Sequence, residues 1–169
     1  AIMPAMIAFR YVYVVLLALW LGGMVALGGI AGPATFAVLQ QDHPDTGRTL
    51  AGRVFGETLK RFHIASYAIA GLLLACLIGM AVLGSKPNGF EIRFVIIVAM
   101  LLISLYSGRG VSPTIERMQQ EIGGPVASLD PDDPRRTQFG RLHAVSTALM
   151  LANITGTLAL LYWEARRGG

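Results

Sequence analysis

Apolar residues in this chain gather into four long runs separated by polar segments. Residues 11–41, 64–85, 94–108 and 144–163 contain no charged side chain. A bilayer core of about 30 Å takes roughly 20 residues of helix, so the first, second and fourth runs span it outright. The third is shorter, but Arg93 and Arg109 bound it. Their long side chains reach the headgroups, so a helix over about residues 91–110 still crosses. The pattern predicts an all-α integral membrane four-helix bundle, built from two tandem helical hairpins as one domain over residues 1–169. The first run exceeds a signal-peptide core and shows no clear cleavage site, so it is expected to stay in place.

The connections differ. LGSKPNG at residues 83–89 is a turn-forming stretch that makes the second and third helices a tight hairpin. Two longer loops, about residues 40–60 and 113–140, are expected together on the opposite face. Part of each is helical by pattern: TLAGRVFGETLKRF reads as an amphipathic helix entering the second span, and TIERMQQEI continues the third until GGP stops it.

A repeat crosses this layout. RFHIAS at residues 61–66 returns as RLHAVS at residues 141–146, and the same 80-residue offset carries Pro33 onto Pro113 and Gly28 onto Gly108. The halves, about residues 1–80 and 81–169, read as duplicated two-helix units, each ending a helix near its proline. Each unit crosses twice, which puts His63 and His143 at one depth near one face. In an up-down-up-down bundle the second and fourth helices stand diagonally, roughly 12–14 Å apart. Two imidazoles reaching inward across that gap suit the axial positions of a haem iron. Ser66 and Ser146, with Tyr67, Ala70, Thr147 and Met150, share the histidine faces. Small residues including Gly28 and Gly108 permit close approach of a ring, or equally of a neighbouring helix.

Composition changes the picture by setting the solvent. Of 169 residues, 54% are hydrophobic and only 14% charged, which places the chain among membrane proteins. The net charge of +4 comes from lysines and arginines at the membrane faces, and no basic patch interleaved with aromatics points to nucleic acid. Cys76, the single cysteine, excludes an internal disulfide and reads as a small core residue. Arg61 and Arg141 lie about 200° round the helix from their histidines and serve as interface anchors. Arg109 has Gly29 at its repeat position. It either snorkels or holds an anionic group such as a haem propionate. Asn153 and Thr157 are expected to bond between helices. Acidic residues fall in solvent-facing loops, and no nucleophile-base constellation is visible, so an enzyme is not expected.

LALWLGGMVALGGIAGPATFAVL, FGETLKRFHIAS, YSGRGVSPTIERMQ and FGRLHAVSTALMLANITG together resemble the small four-helix membrane family described as transmembrane-protein-205-like, or domain of unknown function 4149. The WLGG segment is also similar to copper-resistance protein D. The family implies the fold and brings no settled activity, so no catalytic residue transfers. Three readings stand. One is a b-type haem protein with His63 and His143 as axial ligands, its site including Arg109, Ser66, Ser146, Gly28 and Gly108, passing electrons to or from a quinone or a larger complex. Another is a cofactor-free accessory subunit contacting lipid and other membrane subunits. The last is a copper-handling protein using the histidines with Met24 or Met150.

The expected location is a bacterial inner (cytoplasmic) membrane. The long-loop face carries nine lysines and arginines (Arg48, Arg53, Lys60, Arg61, Arg109, Arg117, Arg135, Arg136, Arg141) against five (Arg10, Lys86, Arg93, Arg166, Arg167) on the other. That count favours cytoplasmic long loops, while the short flanks and terminal ARRGG pull the other way.

Overall fold

Each apolar run proves to be part of a longer helical rod. The computed structural model describes residues 2–83 and 86–166. The first rod comprises α1 (Ile2–Ala26), a π turn at Leu27–Ala31 and α2 (Gly32–Asp42). The second is α3 (Gly47–Val82). The third joins α4 (Phe90–Tyr106), a π turn at Ser107–Val111 and α5 (Ser112–Ile122), and the fourth is α6 (Pro134–Ala165). The apolar rods run to 40, 36, 33 and 32 residues. At 1.5 Å per residue these are about 48–60 Å long, so they outreach a hydrocarbon core of about 30 Å. Four helices long and apolar enough to cross a membrane make this an integral membrane protein.

The long loops are therefore mostly helix. Between α2 and α3 only residues 43–46 remain outside a helix, because Gly47 sits under the Leu39 carbonyl where any Cβ would overlap it. Between α5 and α6 the chain makes one short 3-10 turn, Val126–Ser128. α6 starts at Pro134, where the Asp133 side chain accepts from the Arg135 N–H at 2.8 Å. The Arg135 side chain also bonds to Asp133 and holds that carboxyl below its ordinary range. In the hairpin segment LGSKPNG, residues 84 and 85 lie outside the described residues.

Spacing explains the packing. Buried positions recur on α3 at His63, Ser66, Ala70, Leu73, Leu77 and Met80, and on α4 at Arg93, Ile97, Met100 and Ser104. They recur on α6 at Asn153, Thr157, Leu160 and Glu164, and on α1 at Tyr13, Leu17, Trp20 and Met24. These alternating steps of three and four are the seam of left-handed, nearly aligned helix packing. α1 packs on α3 and α6, and α4 packs on the same two, so α3 and α6 stand diagonally.

The terminal end of this seam is ionic. Arg93 is 0% exposed, and its Nη1 donates to Glu164 Oε1. Arg10 Nε donates to Glu164 Oε2 at 2.8 Å, and its Nη2 to the Glu164 carbonyl at 3.4 Å. Two expectations are corrected here. Arg93 does not snorkel, because it falls on the core-facing register of α4. Nor are all acidic residues in solvent-facing loops, because Glu164 occupies the matching position at the end of α6.

Glu164→Gln leaves Arg93 buried without a counter-ion. Unfolding of the purified variant in detergent should show a loss of about 3–5 kcal/mol, whereas Arg93→Met with Glu164→Leu should recover most of it. Wild-type stability in Glu164→Gln contradicts this account.

Candidate functional site

At the other end of the seam the buried residues turn polar: His63 and Ser66 on α3, Ser104 at the end of α4, Ser107 in the π turn after it, and Asn153 on α6. Two prolines shape this end. A proline within a helix lacks the N–H and collides with the carbonyl four residues back. Rather than stopping, both rods widen by a turn. The Gly32 N–H reaches back five residues to the Leu27 carbonyl, and the Ser112 N–H likewise to Ser107. π turns of this kind often mark functional positions. Beyond the first of them α2 packs on α3, while α5 packs on both α3 and α6.

A cavity of about 430 Å³ lies between these elements. That is within the roughly 300–1,000 Å³ typical of small-molecule sites. His63, Ser66, His143, Ser146 and Gly28 all line it, so five of the seven expected site residues border one cavity. Met24, Thr147 and Met150 line it too. No lysine, arginine, aspartate or glutamate does. Pro33, His143 and Thr147 are exposed and mark its mouth. Met150 Cε lies 3.0 Å from where a Cβ on Gly28 would stand, so the first π turn and α6 come close together there.

The walls carry unmet hydrogen-bonding capacity. Trp20 Nε1, His63 Nε2, Ser66 Oγ and Asn153 Oδ1 are buried without a partner among the described residues, and all four residues line the cavity. A buried polar atom left unpaired costs about 1–3 kcal/mol, so this end of the seam is locally less stable than an apolar one would be. Asn153 Nδ2 donates to Ser104 Oγ at 2.9 Å, the interhelical bond expected of it. Thr157 instead donates to the Asn153 carbonyl of its own helix, a correction to its expected interhelical role.

The two histidines have different surroundings. His63 is 8% exposed and its ring lies beside that of Tyr67, with centroids 6.3 Å apart. Tyr67 donates to the Ser104 carbonyl at 3.3 Å. Gly108 is not part of the cavity wall: it lies behind His63, where a Cβ would stand 2.9 Å from His63 Cγ and would also meet the Tyr67 hydroxyl. Arg109 lies outside the cavity as well. It is exposed, and its Cζ sits 6.0 Å from the Tyr67 ring centroid. Among the described residues no carboxylate or carbonyl pairs with it, and the Tyr67 ring is its contact. Tyr67 was expected only as a neighbour of His63. Its clamping role follows from Gly108, which the sequence alone gave no means of placing. Among the described residues no group of three or more His, Cys, Asp or Glu side chains is placed to hold a metal ion.

The family profile Domain of unknown function (DUF4149) matches residues 15–123, from α1 through the end of α5. The chain belongs to the DUF4149 family. The DUF4149 match takes in both π turns, His63, Tyr67 and Arg109, and ends before His143. No curated protein and no solved structure matches the chain.

Gly108→Ala drives a methyl into His63 and Tyr67. It should lower unfolding stability by about 1–3 kcal/mol, measured in detergent. Gly22→Ala is the control: nothing lies within 4 Å of its Cβ position. That change should be neutral or stabilising by up to about 1 kcal/mol.

Proposed function

We propose that this membrane protein binds a b-type haem in the cavity at the π turns, with His63 and His143 as its axial ligands. The supporting observation is that two histidines 80 residues apart in sequence, on diagonal helices, line the same cavity. A bis-imidazole iron needs only these two side chains, fewer than a cluster of three ligands. The apolar walls suit a flat macrocycle. With no cation in the lining, the propionates belong at the open mouth, in contact with water or headgroups. Bound haem supplies one-electron chemistry, which fits a role in electron transfer alone or within a larger membrane complex, with a quinone as an exchange partner. Copper held by His63 or His143 with Met24 or Met150 draws on the same wall, and a cofactor-free accessory role needs none of it.

We also propose that the chain is one domain arising from duplication of a two-helix unit. The π turns begin 80 residues apart, at Leu27 and Ser107, and each leads into an 11-residue helix. This is the offset that relates the histidines.

Detergent-purified protein should show a Soret band and iron, with a low-spin six-coordinate spectrum. His63→Ala and His143→Ala each remove an axial ligand and should give high-spin or haem-free protein, and the double variant should lose haem completely. Copper without a Soret band supports metal handling instead. A preparation that stays colourless and metal-free after haem supplementation defeats the haem reading and leaves the accessory one.

A further inference from the structure

We propose that the outer surface between α3 and the third rod binds the phosphate of an anionic phospholipid, with Arg109 as its principal ligand and Lys60 as a second cation. Neither residue lines the cavity, so the site is independent of what the cavity holds.

Arg109 is the charge that ends the apolar run of the third rod, where hydrocarbon gives way to headgroups. It is exposed, and its guanidinium lies over the Tyr67 ring with Cζ 6.0 Å from the centroid. Stacking engages only the flat face of a guanidinium. Its five N–H groups lie in the plane and leave by the edge, in the fork that meets a phosphate with two parallel bonds. Tyr67 is a fixed platform: its hydroxyl donates to the Ser104 carbonyl at 3.3 Å, and its ring lies beside that of His63. An arginine stacked on such a platform loses less freedom on binding than a solvated one.

No carboxylate competes at this depth. Among the described residues neither Arg109 nor Lys60 forms an ion pair. The first carboxylate after Arg109 on its own rod is Glu116, about 10 Å further along. Glu57 on α3 is taken by Arg61 at 3.0 Å. α6, which also packs on the second π turn, has no acidic residue between Pro134 and Glu164. A charge at the edge of the hydrocarbon is costly without a counter-ion, and a lipid phosphate supplies one.

The surroundings select the lipid. Lys60 lies about two helical turns before Tyr67 on the same face of α3, and it is exposed. Two cations with no carboxylate favour a headgroup of net negative charge, because the ammonium of a zwitterionic one is repelled. Inward of Tyr67 α3 is uncharged and exposes Leu72 and Ile78, a surface for acyl chains that free phosphate does not use.

Phosphatidylglycerol added to the detergent-purified protein is the probe, with phosphatidylcholine of the same chains and free glycerol 3-phosphate as comparisons. Native mass spectrometry should show phosphatidylglycerol retained at low excess, and that lipid alone should raise the unfolding temperature. Arg109→Gln should bind it about tenfold more weakly or worse. Its helix content and lipid-free unfolding temperature should match wild type, which separates a lost site from a lost fold. Arg109→Lys keeps the charge without the fork and should fall between the two. Arg166 also lies over a tyrosine, Tyr162, but on its own helix and with that ring 65% exposed. Arg166→Gln should leave binding unchanged. Wild-type affinity in Arg109→Gln or Arg109→Lys, equal loss in Arg166→Gln, or equal binding of phosphatidylcholine overturns the proposal. So does stabilisation by glycerol 3-phosphate equal to that by the lipid, which assigns Arg109 to a soluble anion.

Discussion

A proline cannot sit beneath the carbonyl four residues behind it, and this chain places one in the middle of two membrane-crossing rods. Both rods answer with a hydrogen bond reaching back five residues, so the helix continues with one widened turn. The cavity follows from this choice. Past the first π turn α2 leans on α3, and the space between it and α6 stays open at Pro33, His143 and Thr147. Past the second, α5 packs on α6 as well as on α3. The same local device therefore yields an opening on one side of the bundle and packing on the other. One histidine ends up clamped and the other at the mouth.

The seam between the rods is apolar only in its middle. One end is the Arg10, Glu164 and Arg93 cluster, and the other is the wall of serines, histidine and asparagine. A buried ion pair adds little net stability, but any register that breaks it leaves a charge without compensation. The cluster joins α1, α4 and α6, three of the four rods. A slip of one turn along any of them separates the charges. Fixing the register at the terminal end also fixes which residues of α4 and α6 face each other at the cavity end, where Ser104 meets Asn153.

The four spans were legible because charges are absent from them, and the diagonal placement of α3 and α6 because an up-down-up-down order makes consecutive rods neighbours. His63, Ser66, His143 and Ser146 stood out as a group because one offset pairs them, whereas that offset pairs Gly28 with Gly108, which lies outside the cavity. Burial of Arg93 was not, since a charge at the edge of an apolar run is naturally read as its boundary. The missing signal was register. Arg93 continues the three-four spacing of Ile97, Met100 and Ser104, and Glu164 continues that of Asn153, Thr157 and Leu160. Pro33 was read as the end of its helix because proline usually ends one, while TIERMQQEI was read as continuing the third helix past Pro113. A π turn depends on what packs around it, which no local pattern discloses. The link between Arg109 and Tyr67 was hidden for the same reason, since it spans two rods and rests on the lack of a side chain at Gly108.

The polar wall is the costly part of the design. Trp20, His63, Ser66 and Asn153 each keep a buried polar atom without a partner, and apolar residues at the same seam positions would pack without that penalty. The middle of the seam shows that the chain uses such residues where only packing is required: Leu73, Leu77, Ile97, Met100 and Leu160 are buried there. Four such residues gather around one cavity, while Tyr13, Arg93 and Ser112 carry unpartnered buried atoms elsewhere. Local concessions of stability of this kind are expected where a fold accommodates a function. A guest that satisfies these atoms binds and stabilises through the same contacts, because anything that favours the folded state over the unfolded one does both. The ionic cluster at the far end keeps the rods in register while the cavity wall is left polar.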